Sequence, residues 1–150
     1  MTRRAGFTLI ELTVTIVVAG LILSLVGRAL GDVQRRLAAQ QAMKTFEALQ
    51  ARTRAHAIER GTEVDLVLDT DGDSASIVLA GRVLETIHFR SELGVDVWSN
   101  ASSNPVTVCL NPRGYGDPSC MSFTSVINVY FGAGSDTVSL HMLPLGQIVR

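Results

Sequence analysis

Apolar residues run almost unbroken over positions 7–27, thin to a helical spacing up to residue 60, and then give way to short stretches of β-forming residues. The first run is 21 residues long. At about 1.5 Å per residue it forms a helix of roughly 30 Å, the thickness of a bilayer's hydrocarbon. Glu11 is its one carboxylate. A lone acidic residue at the centre of a spanning helix costs about 2.5 to 3.5 kcal/mol, and less near an end, so this charge calls for a partner.

Residues 29–59 contain no proline and a single glycine, Gly31, among many Ala, Gln, Arg, Leu and Met. These are strong helix formers, and Ala42, Phe46, Leu49, Thr53 and Ala57 recur every three or four positions as one face for a sheet to cover. The pattern predicts one long helix that stops at Arg60, with Gly61 as its cap. Beyond it, β-like runs fall at 63–68, 75–79, 82–89, 95–98, 106–110, 126–131 and 137–143, parted by Gly, Asp, Asn and Pro. That is the pattern of an antiparallel meander. The predicted architecture is α+β: a long N-terminal helix, half membrane segment and half amphipathic, packed on an antiparallel head.

Of the 150 residues, 47% are hydrophobic, much of that excess lying in the first thirty, so the rest suits one modest domain. The net charge of -1 conceals a division. Residues 28–60 carry seven basic side chains against three acidic ones, whereas residues 61–150 carry four against ten. The basic helix residues read as a solvated face, and an acidic head opposes polyphosphate binding. Arg3 and Arg4 precede the apolar run, which places 1–6 in the cytoplasm and the head on the far side of the membrane. An ordinary signal peptide fits poorly, because it has no use for Glu11 and no small-x-small cleavage site precedes Arg28.

The stretch Gly6-Phe7-Thr8-Leu9-Ile10-Glu11-Leu12 resembles the processing motif of type IV prepilins and type II secretion pseudopilins. The resemblance implies a pilin-like fold and cleavage by prepilin peptidase between Gly6 and Phe7, with N-methylation of Phe7. It gives Glu11 the role of neutralising the N-terminal ammonium of an adjacent subunit. The segments are then a cleaved leader (1–6), a transmembrane and assembly helix (7–27), its amphipathic continuation (28–60) and a periplasmic head (61–150). A second, looser similarity joins the chain to the GspH/FimT pseudopilins, through Ala51-Arg52, Ala55 or Ala57, and Val64, the Asn111-Pro112-Arg113-Gly114 turn, and a terminal strand at Leu145-Gly146.

Cys109 and Cys120 are the only cysteines. In an oxidising periplasm they close a loop, a bond worth roughly 2 to 3 kcal/mol by chain entropy. A two-sulfur metal site lacks nearby histidines, and the gap is too long for a redox Cys-x-x-Cys. Asp69, Asp71 and Asp73 are weak calcium candidates, since Gly72 and Ala80 fall at the wrong places for a calcium loop and a tight Asp-Gly hairpin accounts for the same residues. His56, His88 and His141 are scattered, with no catalytic arrangement and no implied cofactor.

The leading expectation is a minor pseudopilin of the type II secretion pseudopilus, anchored in the inner membrane and partnered by other pilins or pseudopilins through its N-terminal helix. The alternatives are a minor pilin for adhesion or motility, and a FimT-like pilin that binds DNA in transformation. For the last, the implied Gly-Arg-x-Arg is here Gly146-Gln147-Ile148-Val149-Arg150, which lacks both motif arginines and their phosphate contacts.

Overall fold

The computed structural model describes residues 8–149, and of residues 25–30 the backbone alone. Gly6, Phe7 and Arg150 lie outside the described residues. Helix α1 spans Leu9–Arg60. The chain divides into two units, residues 1–34 and 35–150.

In the first unit Thr8 caps the start of α1: its hydroxyl accepts the Glu11 N–H at 3.3 Å and so serves one of the open donors of the first turn. The apolar side chains stand exposed on every side, from Leu9 at 82% to Leu23 at 70%. The few hydroxyls are turned back on the helix: Thr13 donates to the Ile10 carbonyl, Thr15 to that of Glu11 and Ser24 to that of Leu21. A polar atom satisfied within its own helix makes no demand on an apolar surrounding.

In the second unit the strands form two antiparallel sheets. Strands β1 (Val64–Asp69), β2 (Ser74–Leu79), β3 (Arg82–His88) and β5 (Val106–Leu110) make one, in the order β3-β2-β1-β5. Strands β4 (Asp96–Ser99), β6 (Ile127–Ala133), β7 (Asp136–Met142) and β8 (Ile148–Val149) make the other, in the order β4-β6-β7-β8. The single meander expected from the pattern is thus two sheets, because β5 returns to pair with β1 across a long separation that local patterning does not encode. The apolar helix face is as the spacing predicts: Ala42, Phe46, Leu49, Thr53 and Ala57 are all fully buried. Phe46 meets Phe131 of β6 at 5.8 Å between ring centres, and Phe131 meets Phe89 edge-on at 5.5 Å. Three rings from three elements make the centre of the core. The buried Thr53 hydroxyl donates to the Leu49 carbonyl, which spares the core an open polar group.

Two local readings are corrected. Phe89 does not end a strand but opens a short helix, α2 (Phe89–Leu93), which closes at Gly94 with φ near 66°. The Glu92 carboxylate accepts the His88 N–H one turn back and fixes its start. The expected strand at Leu145-Gly146 is a turn: Gly146 has a φ of 70° and donates its N–H to the Leu143 carbonyl, and the strand follows at Ile148–Val149. A left-handed residue cannot continue an extended strand.

Asp73 ties the two sheets together. It sits at the end of the β1–β2 turn with φ 45°, almost fully buried. One carboxylate oxygen accepts the Val97 N–H of β4 at 2.6 Å, and the other pairs with Arg90 of α2 at 2.8 Å. Replacing Asp73 by alanine leaves a buried N–H without an acceptor and is expected to lower unfolding free energy by about 1 to 3 kcal/mol, measured by denaturant titration against wild type.

Candidate functional site

Four surfaces carry the residues singled out by the sequence. The first is the N-terminal half of α1. Glu11 lies in its first turn, exposed, and its carboxylate meets no cation among the described residues. The surrounding Leu9, Ile10, Leu12 and Val14 are all more than half exposed. A helix that is apolar on all sides has no core of its own to enter, and its natural surroundings are lipid or other helices. Among the described residues no helix is long and apolar enough to cross a membrane. The run expected at 7–27 starts at a residue outside those described, and of 25–27 only the backbone is described.

The second surface surrounds the cysteines. Cys109 and Cys120 are joined as a disulfide, 11 residues apart in sequence. Around it the 116–122 segment folds along the outer edge of β5: Asp117 donates its N–H to the Cys109 carbonyl, and the Ser122 hydroxyl accepts the Thr107 N–H at 2.8 Å. Asp65 of β1 lies directly across from Cys109 of β5, and Glu63 approaches Cys120 Sγ to 3.7 Å. Burial pushes the Asp65 carboxyl above its ordinary value, and its Oδ1 is shut from solvent with no hydrogen-bond partner. Neither carboxylate stands out in sequence. Glu63 stands just before β1 and Asp65 within it, and the cross-strand pairing of Asp65 with Cys109 is a tertiary fact. Converting both cysteines to serine is expected to cost about 2 to 3 kcal/mol through the freed loop, seen as a lower urea midpoint.

The third surface is the Asp69–Asp73 hairpin turn. Asp69 Oδ1 accepts N–H groups from Asp71 at 3.0 Å and Gly72 at 3.2 Å, and one from the Asn104 amide at 3.2 Å. These bonds hold the Asp69 carboxyl below its ordinary value, the Gly72 N–H first among them. With Asp73 engaged by Val97 and Arg90, the carboxylates of this run serve the turn separately. The group of potential metal ligands that the structure does assemble, among the described residues, is Glu63, Asp65, Cys109 and Cys120. Because the folded Asp69 has the lower pKa, its contribution to stability is present above the unfolded value near 3.8 and is lost as pH falls through the folded one. Asp69→Asn is therefore expected to flatten the acid limb of a stability–pH profile below pH 4, roughly, and to leave the limb above pH 7 unchanged.

The fourth surface is an open groove of about 690 Å³ between α1 and β8, lined by Glu47, Gln50, Arg54, Gln147, Ile148 and Val149. The Gly146 carbonyl accepts both the Gln50 amide and the Arg54 guanidinium there. The turn at Gly114 packs on the same helix so closely that a Cβ would come within 2.9 Å of Arg54 and Ile58. The scattered histidines stay apart: His56 is on α1, His88 ends β3, and His141 of β7 bonds Asn128 at 2.6 Å.

Residues 1–27 match the model of the prokaryotic N-terminal methylation motif. In fold the chain is similar to the type IV minor pilin FimU of Pseudomonas aeruginosa strain PAO1. The FimU crystal form in space group P21 superposes with a TM-score of 0.57 and 15% identity, over 76% of this chain and 88% of FimU. The P65 form gives 0.54 and 15%, over 73% and 90%. The chain has a type IV pilin-like fold and a prokaryotic N-terminal methylation motif. No curated protein matches it significantly. At this identity the likeness to FimU is one of fold, and the methylation motif independently supplies the N-terminal feature of a pilin-like chain. The motif implies a membrane-anchored N-terminal segment, consistent with the apolar, exposed start of α1.

Proposed function

We propose that the chain is a minor pseudopilin, a structural subunit of the type II secretion pseudopilus. Prepilin peptidase cleaves it after Gly6 and methylates Phe7, and the mature helix holds it in the inner membrane with the head in the periplasm. The observation that carries this reading is the stretch of α1 over residues 9–24, apolar and exposed with Glu11 as its single charge. Lipid covers such a surface before assembly, and the equivalent helices of other pilin-like subunits cover it afterwards. In the filament Glu11 takes the ammonium of a neighbouring Phe7 as its partner. The acidic head and the Gln147 at the place of a motif arginine support a secretion role over DNA binding.

Deleting the gene in its host tests this directly. Secreted proteins are expected to accumulate in the periplasm, with twitching motility and DNA uptake unchanged. Loss of motility or of DNA uptake with secretion intact assigns the subunit to a pilus instead. A gel shift with the purified chain adds a separate check, since tight DNA binding that weakens steeply with salt contradicts the secretion reading.

A further inference from the structure

We propose that the open edge of β7 is a docking site for an extended, acidic segment of a partner protein, which joins the second sheet as an added strand alongside α1. Strand β8 pairs with β7 only at His141 and Met142. Over residues 136–140, β7 has β6 on one side and, among the described residues, no strand on the other. The turn that follows β7 shows which backbone groups this leaves open. Leu143 donates its N–H to the Gln147 carbonyl on the β8 side. Along an antiparallel strand the backbone groups face the two neighbours by turns, so His141, Ser139 and Thr137 direct theirs the same way as Leu143. Val149 meets His141. Ser139 and Thr137 are exposed and are left without a facing strand.

The other edges are closed or blunted. A row of unpaired N–H and C=O groups is a template for another strand, and folded proteins manage such edges explicitly. On β4 the Val97 N–H is taken by Asp73, and on β5 the Thr107 N–H and the Cys109 carbonyl are taken by Ser122 and Asp117. Strand β3 carries the charges of Arg82 and Glu85, and its pairing with β2 is interrupted by a register shift at Ile77/Val78. Thr137, Val138 and Ser139 bring neither charge nor proline nor a break in register.

The space beside this edge has the length of a strand. The groove between α1 and β8 is followed along α1 by a second, of about 510 Å³, lined by Gln40, Met43, Lys44, Val138 and Ser139. Val138 packs against the core and Ser139 is exposed, so a cavity that touches both reaches around the free edge of β7. From Gln40 to Arg54 the helix rises about 21 Å, which about six extended residues span. Main-chain bonds to Thr137 and Ser139 supply affinity, and alternate side chains of the added strand meet Met43 and Val138. Lys44 sets the charge of the occupant. It is exposed in the groove and pairs with no carboxylate among the described residues, whereas Glu47 is already engaged. A carboxylate on the incoming segment gives Lys44 its partner.

The test uses the purified full chain in detergent and, as probe, an acetylated and amidated hexapeptide of alternating valine and threonine with one glutamate. Amide hydrogen exchange is read by NMR. In the free chain the Thr137 and Ser139 amides are expected to exchange at least about tenfold faster than those of Val138 and Leu140, and the probe is expected to slow them by at least about tenfold. Ser139→Pro removes an outward N–H and no ladder bond, so it is expected to keep the wild-type near-ultraviolet dichroism and to bind the probe at least about tenfold more weakly. Ser139→Ala, which keeps the N–H, is expected to bind as wild type does. Lys44→Gln is expected to erase the preference for the glutamate probe over its glutamine version. Should the dichroism show that proline disturbs the fold, two probes N-methylated on opposite sets of alternate amides take its place, and only one of them is expected to bind. Slow exchange of Thr137 and Ser139 in the free chain, no protection by the probe, undiminished binding to a folded Ser139→Pro, or equal binding of both methylated probes overturns the proposal. A concentration-dependent dimer that Ser139→Pro dissolves puts a second copy of this chain at the edge and overturns the choice of occupant.

Discussion

Phe46→Ala is expected to lower the stability of the head by about 3 to 5 kcal/mol, the range for removing a fully buried aromatic ring. Phe46 is wholly buried and its ring lies 5.8 Å from that of Phe131, which in turn holds Phe89 of α2. One deletion therefore loosens α1, β6 and α2 together. Collapse of the neighbours into the gap is limited, because Ala42, Leu49 and Thr53 on either side of it are short or already fully packed. The exposed Lys44, two positions away on α1, serves as the control, and Lys44→Ala is expected to change stability by less than about 0.5 kcal/mol. Thermal unfolding followed by Trp98 fluorescence separates the two. Equal midpoints for the two variants contradict the core described above.

Glu11→Ala is expected to separate insertion from assembly. Removing a carboxylate from an apolar helix lowers the cost of entering the membrane, so the variant is expected in the membrane fraction at wild-type level or above. In the proposed filament the same change would leave the neighbouring subunit's ammonium without its partner. Breaking a buried pair from one side costs about 3 to 5 kcal/mol, which is more than about a hundredfold in association. Fractionation and filament immunoblots of one strain read both effects. Wild-type incorporation of Glu11→Ala contradicts the role given to that carboxylate, and failure to insert contradicts the membrane reading of the helix.

How much of this was legible in the residues depends on how local each feature is. The buried face of α1 was legible, because 3.6-residue periodicity alone places Ala42, Phe46, Leu49, Thr53 and Ala57 together, and all five are buried. The stop at Arg60 was legible because Gly61 adopts a φ of 60°, which few other residues tolerate. Most strands were found within two residues of their ends. The division into two sheets was not, since it turns on β5 pairing with β1 rather than with its chain neighbour β4. Helix α2 escaped because Phe89 extends the β-like run of β3, and only the Glu92 bond to His88 and the left-handed Gly94 reveal the change.

The sites divide in the same way. Glu11 was legible as a charge in an apolar run, and the cysteine pair was legible because there are only two. Glu63 and Asp65 were not, because their interest comes from the strand across from them and from a closed-off oxygen. Asp69, Asp71 and Asp73 were weak calcium candidates beside the favoured hairpin turn, and in that turn Asp69 and Asp73 accept N–H groups while Asp73 also pairs with Arg90.

The mass of the mature chain extracted from membranes tests the central claim most directly. The account predicts a chain that begins at Phe7 and carries one methyl group on its terminal amine, leaving Glu11 near the new N-terminus of a retained helix. A chain that keeps residues 1–6, or one cut after residue 27 so that the apolar helix is gone, contradicts it.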